Sequence, residues 1–471
     1  MRDGKILIGG KWIATNETVA VNSPFSGERL ADVFSATLDE LASALSNAEA
    51  AKHEMRGLAR FEIAAGLKTI SESLEARKEE FAQTITAESA KPMALARGEV
   101  DRAIATFRFA SGEAERFVGE VVPVDVQPQG KGKSAYTLRV PRGVVYGITP
   151  FNFPLNLVAH KVAPALASGN AVIIKPSPRT PLTALLLGEV FLESGLPTSA
   201  LQVVPMDVKY LPAVYADERV KMISFTGSDA VGWEIKRQAA KKFVTLELGG
   251  NASVIVDESA DSENALSKTV AGGFAYSGQV CISVQRVFVR EKHFPQWLER
   301  FAAAASRLKT GDPADEETQL GVLIDEKAAE RVEGWVNEAV SGGAKLVCGG
   351  KRMGSHFAAT VLTNTDPEMR VVSEEVFGPV VVVEPFSRFA DAVEMANTGR
   401  FGLQAGVFTN SMENARLAAE NLEYGGVIFN DVPTFRVDNM PYGGVKDSGF
   451  GREGVRYAME EMTEPRIIVT G

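Results

Sequence analysis

The spacing of apolar residues divides this chain into stretches of different period. Near the start a strand-like patch, Ile6-Leu7-Ile8, meets a Gly9-Gly10 turn and Lys11-Trp12-Ile13, and Asn22-Ser23-Pro24 and Ser26-Gly27 punctuate the next stretch. From about Thr37 to Gly119 the pattern turns alanine-rich and amphipathic, which predicts helices such as Leu38 to His53 and Ala59 to Leu74. Between Val121 and Val140 two strand-like stretches flank the polar run Gln127 to Lys133. A long exposed ribbon of that kind is marginal alone and is expected to pair with another subunit.

From Val144 onward strands alternate with helices. The predicted order is Val144 to Ile148, Leu155 to Ser168, Ala171 to Ile174, Leu182 to Ser194, Leu201 to Val204, Met222 to Phe225, Asp229 to Ala239 and Phe243 to Leu246. Short apolar strands joined by helical crossovers indicate a parallel, doubly wound α/β sheet of Rossmann-like type, which binds ligands beyond the carboxyl ends of its strands. A second alternating block comes after Glu247, with strands at Ser253 to Val256, Arg286 to Val289 and Val380 to Val383, and helices at Ala265 to Tyr276 and Phe294 to Leu308. The tail from Asn439 carries a glycine cluster, a polar helix and a last strand, Arg466 to Thr470.

Bulk composition narrows the function. At 471 residues the chain is too long for one core. No window is long and apolar enough to span a bilayer, and the first residues lack the layout of a signal peptide, so no membrane partner and a cytoplasmic location are expected. The formal charge of -10 leaves no basic stripe for nucleic acid, and Lys131-Gly132-Lys133 is too short to serve. Two cysteines, Cys281 and Cys348, exclude a disulfide framework. The four histidines, His53, His160, His293 and His356, show no ligand spacing, so no metal is expected.

One stretch stands out for chemistry. Gly272 to Cys281 runs small and apolar up to one sulfur, where glycine and serine leave little bulk around it. A buried structural cysteine is the ordinary reading of a lone Cys, but these neighbours let a substrate approach, which favours a nucleophile. A free thiol is only a few per cent ionised at neutral pH, so other groups must promote its reaction. The usual Gly-x-Gly-x-x-Gly fingerprint is absent. In its place Phe225-Thr226-Gly227-Ser228 leads from strand into helix, and amides at a helix N-terminus suit a pyrophosphate as well as an ordinary cap.

Further motifs gain meaning together: Thr149-Pro150-Phe151-Asn152-Phe153-Pro154, Lys175-Pro176-Ser177, Glu247-Leu248-Gly249-Gly250 and Glu374-Glu375-Val376-Phe377-Gly378-Pro379. With Cys281 placed 34 residues after Glu247, and with Gly9-Gly10-Lys11-Trp12 and Pro441-Tyr442-Gly443-Gly444-Val445-Lys446 near the two ends, the chain resembles the aldehyde dehydrogenase superfamily. The resemblance is to its NAD(P)-dependent, hydrolytic type. It implies that Cys281 attacks an aldehyde, that the Asn152 amide and the Cys281 N–H hold the oxyanion, and that Glu247 activates the water that hydrolyses a thioester. It assigns Glu375 and Phe377 to the nicotinamide ribose and ring, Lys175 to the adenosine ribose, and Thr226, Gly227 and Ser228 to the pyrophosphate. Pro150, Phe151 and Leu248 complete the cofactor contacts, although aromatic residues such as Phe151 and Phe153 also serve as plain tunnel wall. The same resemblance divides the chain into a cofactor-binding domain, 1–120 with 143–248, a catalytic domain, 249–438, and an oligomerisation arm, 121–142 with 439–471, that makes a homodimer or homotetramer.

Departures sharpen the expectation. The acidic residue that takes the adenosine ribose hydroxyls in NAD-preferring relatives is here Pro178, followed by Arg179, so NADP is expected to be accepted beside NAD. Pro205-Met206-Asp207-Val208 lacks the glycine-rich loop of many relatives. Val280 and Phe153 stand where phosphonoacetaldehyde-oxidising relatives carry arginine and histidine, which disfavours a phosphonate; the aliphatic Val280 and Ile282 beside the nucleophile favour a small, partly apolar aldehyde, and lactaldehyde and glyceraldehyde are candidates by loose similarity. Arg436 reads more simply as an exposed loop arginine than as a substrate anchor, and Arg102 and Arg108 as a solvated helix face. Two rival functions are a CoA-acylating dehydrogenase, disfavoured by Glu247, and a cysteine hydrolase with His160 as base, for which no orienting acid lies nearby in sequence.

Overall fold

The computed structural model describes residues 4–471. Its first body is an eight-stranded sheet whose five central strands are parallel, in the spatial order Leu201–Val203, Ala171–Lys175, Val144–Ile148, Val220–Thr226 and Phe243–Glu247. Strands Ala171–Lys175 and Val144–Ile148 are buried along their whole length, which is why they read as apolar runs up to the terminal Lys175. The hairpin Ile6–Ile8 with Lys11–Ile13 closes one edge, antiparallel through Leu7 opposite Val203. At the other edge Gly449–Phe450 pairs antiparallel with Phe243–Glu247. The doubly wound α/β architecture expected from the sequence is the one found.

The order of connection reverses at Val144–Ile148: the chain first steps outward through Ala171–Lys175, then returns to lay Val220–Thr226 on the opposite side. Open α/β sheets form their ligand crevice at the carboxyl ends beside such a switch. Those ends are Thr149-Pro150-Phe151-Asn152, Thr226-Gly227-Ser228 and Glu247.

The amphipathic N-terminal helices pack behind this sheet. Leu38–Gly57 begins at Thr37, whose own N–H donates to Glu40 Oε2 at 2.8 Å in a capping box. Its buried face of Leu41, Leu45, Ala48 and Met55 joins one core with Ile70, Phe107, Ile148 and Ile173. A hairpin that the sequence punctuation only hinted at, Glu17–Asn22 with Arg29–Ser35, turns through the Ser23 to Glu28 segment, where the Gly27 N–H donates to the Ser23 carbonyl at 2.9 Å.

The second body is a seven-stranded sheet in the order Lys345–Cys348, Thr360–Thr363, Val380–Phe386, Val284–Arg290, Ala252–Val256, Gln404–Phe408 and Gly426–Phe429, parallel except for the first. Gly249-Gly250-Asn251, Cys281, Glu375-Val376-Phe377 and Phe401 all precede strands of this sheet. The N-terminal edge of the second sheet thus faces the C-terminal edge of the first.

A third, smaller sheet joins residues far apart in sequence. Thr463–Thr470 pairs antiparallel with Ser134–Pro141 over eight residue pairs, and Val121–Val122 adds a third strand. Val121, Tyr136, Leu138, Ile467 and Val469 are exposed on it. Among the described residues no helix is long and apolar enough to cross a membrane.

Candidate active site

Between the two sheet edges lies a cavity of about 380 Å³ lined by Pro150, Phe151, Asn152, Thr226, Gly227, Ser228, Glu247, Leu248, Cys281, Glu375 and Phe377 among others. All but one of the site residues read from the sequence meet there. Lys175 does not: it lies one strand further along, buried, with Nζ donating to the Pro176 carbonyl at 3.4 Å. Burial lowers its ammonium to about 8, against the opposing charge of Asp207.

The nucleophile loop is held in a left-handed path. Tyr276, Ser277 and Gly278 have φ of 48°, 54° and 72°, a conformation that costs energy in the first two and is natural in the third. Three bonds compensate. Tyr276 Oη donates to the Ser89 carbonyl at 2.8 Å, Ser277 Oγ to the Gly321 carbonyl at 2.8 Å, and the Gln279 side chain accepts from the Ile324 N–H at 2.9 Å. No Cβ fits at Gly278, which would stand 2.1 Å from the Gly378 carbonyl oxygen.

Asn152 is buried, and its Nδ2 donates to the Gln279 carbonyl at 2.9 Å. Cys281 Sγ lies 3.2 Å from the Tyr442 hydroxyl. Burial pushes the Cys281 thiol up to about 12, a rise that the Tyr442 hydrogen bond and the Arg436 charge oppose and that the Glu375 and Glu247 carboxyls reinforce. Glu247 is buried with Oε2 unpaired; burial first and the nearby Glu453 second raise it well above the usual carboxylate range. In its deprotonated form a buried carboxylate on a cavity wall is suited to take a proton from a bound water.

The remaining wall suits a nucleotide. Glu375 Oε1 accepts the Gly250 N–H at 3.0 Å, while a Cβ on Gly249 would stand 2.5 Å from Glu375 Oε2, so the carboxylate rests on bare backbone. Burial raises Glu375 to about 7, against that hydrogen bond. Phe377, at φ 45°, packs edge-on against Phe151 with ring centroids 5.9 Å apart. Ser228 starts the helix Asp229–Gln238 without capping it by its side chain, which leaves the first amides for an anionic ligand.

The sequence missed several wall residues, Leu157, Asp229, Arg331, Trp335 and Arg400, because nothing in their local pattern marks them. It also misplaced Arg436. That side chain is only 5% exposed, pairs with Glu453 at 3.1 Å and stacks 3.6 Å over the Tyr442 ring, so it is not an exposed loop arginine. Arg102 is not on a solvated face either, since it makes a two-pronged bond to Asp438 at 2.7 and 3.2 Å. Arg108 is exposed, as expected. His160 does have an orienting acid, supplied from far away in sequence: Asp438 lies 2.8 Å from its Nε2. The same nitrogen also faces Arg436 at 3.1 Å, and His160 is not part of the cavity wall with Cys281. Among the described residues no cluster could hold a metal ion.

The family model described as the aldehyde dehydrogenase family matches residues 12–468. A 3-sulfolactaldehyde dehydrogenase from Priestia megaterium is 42% identical over 98% of this chain and 97% of its own. The crystal structure of aldehyde dehydrogenase 21 from Physcomitrella patens, in complex with the reaction product succinate, superposes with a TM-score of 0.97 at 42% identity, covering 99% of this chain and 98% of that one. The glyceraldehyde-3-phosphate dehydrogenase GapN from Methanocaldococcus jannaschii, complexed with NADP, matches with a TM-score of 0.93 at 37% identity, covering 97% of this chain and 100% of that one.

Proposed function

The chain belongs to the aldehyde dehydrogenase family, and from that premise we propose that it oxidises a small hydroxyaldehyde to the carboxylic acid through a covalent intermediate on Cys281, with NADP or NAD as cofactor. The observation that carries this reading is the convergence of Cys281, Asn152 and Glu247 on one cavity.

In this reading Cys281 Sγ, as the thiolate, adds to the aldehyde carbon. The carbonyl oxygen becomes an oxyanion, held by the second hydrogen of Asn152 Nδ2 and the Cys281 backbone N–H; one such donor contributes about 10² to 10³ in rate. Loss of hydride from that carbon leaves a thioester on Sγ. Glu247 then takes a proton from a water, whose oxygen attacks the thioester carbon and releases the carboxylic acid and the thiolate. When bound, the nicotinamide ring supplies the acceptor for the hydride. Glu375 and Phe377 would hold its side of the cofactor, Thr226, Gly227 and Ser228 the pyrophosphate and Lys175 the adenosine ribose, and Pro150, Phe151 and Leu248 would pack around them.

Support for NADP comes from Pro178, which offers no carboxylate to repel a 2′-phosphate; the neighbouring Arg179 is paired with Asp325 at 2.6 Å. Support for a small aldehyde comes from the aliphatic setting of Val280 and Ile282, and for one that bears a hydroxyl from the named substrate of the Priestia relative. Hydrolysis is favoured over transfer to CoA by the presence of Glu247. A reactive thiol alongside a second free one, Cys348, fits a reducing, cytoplasmic compartment. The exposed apolar residues of the three-stranded arm support an assembly of two or four subunits.

The test is a panel of small aldehydes with NAD and NADP at equal concentration, followed by absorbance of the reduced cofactor and by product analysis with and without CoA. Free acid from a hydroxyaldehyde, lost in Cys281→Ala while cofactor binding persists, is expected. A thioester formed only with CoA, or turnover retained in Cys281→Ala, overturns the reading.

A further inference from the structure

Cys281 Sγ has a partner that the proposed chemistry leaves without a task. The Tyr442 hydroxyl stands 3.2 Å from it, on a buried ring that is fixed from two sides. Its backbone is locked to Glu453, with the Tyr442 N–H donating to the Glu453 carbonyl at 3.1 Å and the Glu453 N–H returning the bond at 2.6 Å. The ring is capped by the Arg436 guanidinium, 3.6 Å from its centroid, which is itself anchored by the Glu453 carboxylate at 3.1 Å. The hydroxyl oxygen is therefore held beside the sulfur.

We propose that the Tyr442 hydroxyl is a catalytic hydrogen-bond donor that stabilises the Cys281 thiolate, with Arg436 as the positioning residue that fixes the ring and adds positive charge. Beside a thiol, either atom of the pair can donate and the bond is weak. A thiolate can only accept, so ionisation obliges the O–H to donate and makes the bond charge-assisted. The difference in strength between the two states favours the ionised one. The thiol proton leaves to water; the phenol keeps its own, because burial raises Tyr442 well above its ordinary range. Among the groups that act on the sulfur, burial, Glu375 and Glu247 oppose ionisation, while Tyr442 and Arg436 favour it.

The proposal rests on Cys281 as the nucleophile, and its test is independent of which aldehyde is oxidised. In a Cys348→Ala background, the rate of Cys281 alkylation by iodoacetamide is measured against pH, with the site located by peptide mass. A charge-assisted hydrogen bond corresponds to about one to two pH units, so in a thiol that burial already raises to about 12 Tyr442→Phe is expected to show as alkylation slowed about ten- to hundredfold at every pH below the inflection. The kcat/KM should fall in parallel, with NADP affinity unchanged. Arg436→Lys, which keeps charge but loses the flat stack, should shift the inflection part of the way; an unshifted profile removes Arg436 from the proposal. Tyr442→3-fluorotyrosine keeps the shape with a more acidic donor and should move the inflection downward, a check that survives if the phenylalanine variant folds poorly. An unchanged alkylation profile in both Tyr442 variants overturns the proposal and leaves Tyr442 as wall. A shifted profile in a protein that oxidises no aldehyde would sink the dehydrogenase reading and keep this one.

Discussion

Asn152 Nδ2 donates to the carbonyl oxygen of Gln279 at 2.9 Å, tying the strand-end turn of the first sheet to the loop that carries Cys281 in front of the second. One amide hydrogen is spent on this tie and the other is left for an oxyanion. Asn152→Ala is therefore expected to lower kcat by about 10² to 10³, with cofactor affinity unchanged. Steady-state kinetics and cofactor titration measure the two effects separately. A loss under threefold would count against the oxyanion role.

Glu247 titrates far above an ordinary carboxylate because it is buried beside Glu453. The base form is the deprotonated one, so hydrolysis of the acyl-enzyme should speed up as pH rises through this raised value. Glu247→Gln should flatten that dependence and let an acylated protein accumulate. Mass spectrometry of the quenched enzyme reads the adduct, and an undiminished turnover rate in the variant would refute water activation.

Lys175 loses its proton near pH 8 in the free protein, since burial opposes its charge. Below that value the ammonium attracts a 2′-phosphate, and above it the attraction disappears. The Kd for NADP should therefore be flat at lower pH and weaken as pH climbs past about 8, while the Kd for NAD changes less. In Lys175→Met both cofactors should lose this dependence. A hundredfold preference for NAD over NADP in kcat/KM, about 2.7 kcal/mol, would reject the cofactor expectation itself.

Behind the site, Lys91 and Glu99 form an ion pair that is almost wholly buried. The same Glu99 accepts the N–H groups of Leu155 and Asn156 at 2.9 and 3.1 Å, at the start of the helix after Asn152, and Lys91 Nζ sits 3.6 Å over the Phe153 ring. Glu99→Ala would leave a cation buried without its partner, at a cost of about 3 to 5 kcal/mol. Chemical denaturation should show that loss. A change under about 1 kcal/mol would mean that water or a rearranged Lys91 replaces the carboxylate.

The three-stranded arm exposes Leu138 and Ile467, both about half accessible. If the arm is a subunit contact, Leu138→Asp with Ile467→Asp should convert the assembly to monomer in sedimentation velocity. A protein that is monomeric before the change would reject the contact.

What the sequence determined by itself is local. Strands such as Val144–Ile148 and Ala171–Lys175 are written as apolar runs because both faces of a central parallel strand are buried. Small residues before Cys281 and the strand-end motifs at Asn152, Thr226 and Glu247 belong to short segments whose chemistry is legible without knowing their neighbours. Their meeting in one cavity was expected from resemblance, not from spacing. Only the tertiary structure decided how buried polar residues such as Arg436 and His160 are used. Arg436 reads in sequence as a plain loop arginine, yet Glu453 and the Tyr442 ring enclose it. His160 finds its acid in Asp438, and Cys281 its hydroxyl in Tyr442, partners 278 and 161 positions away. A charged residue is tolerable in the interior only with a partner in place. The identity of that partner is a property of the packed chain, which no local pattern of polar and apolar positions encodes.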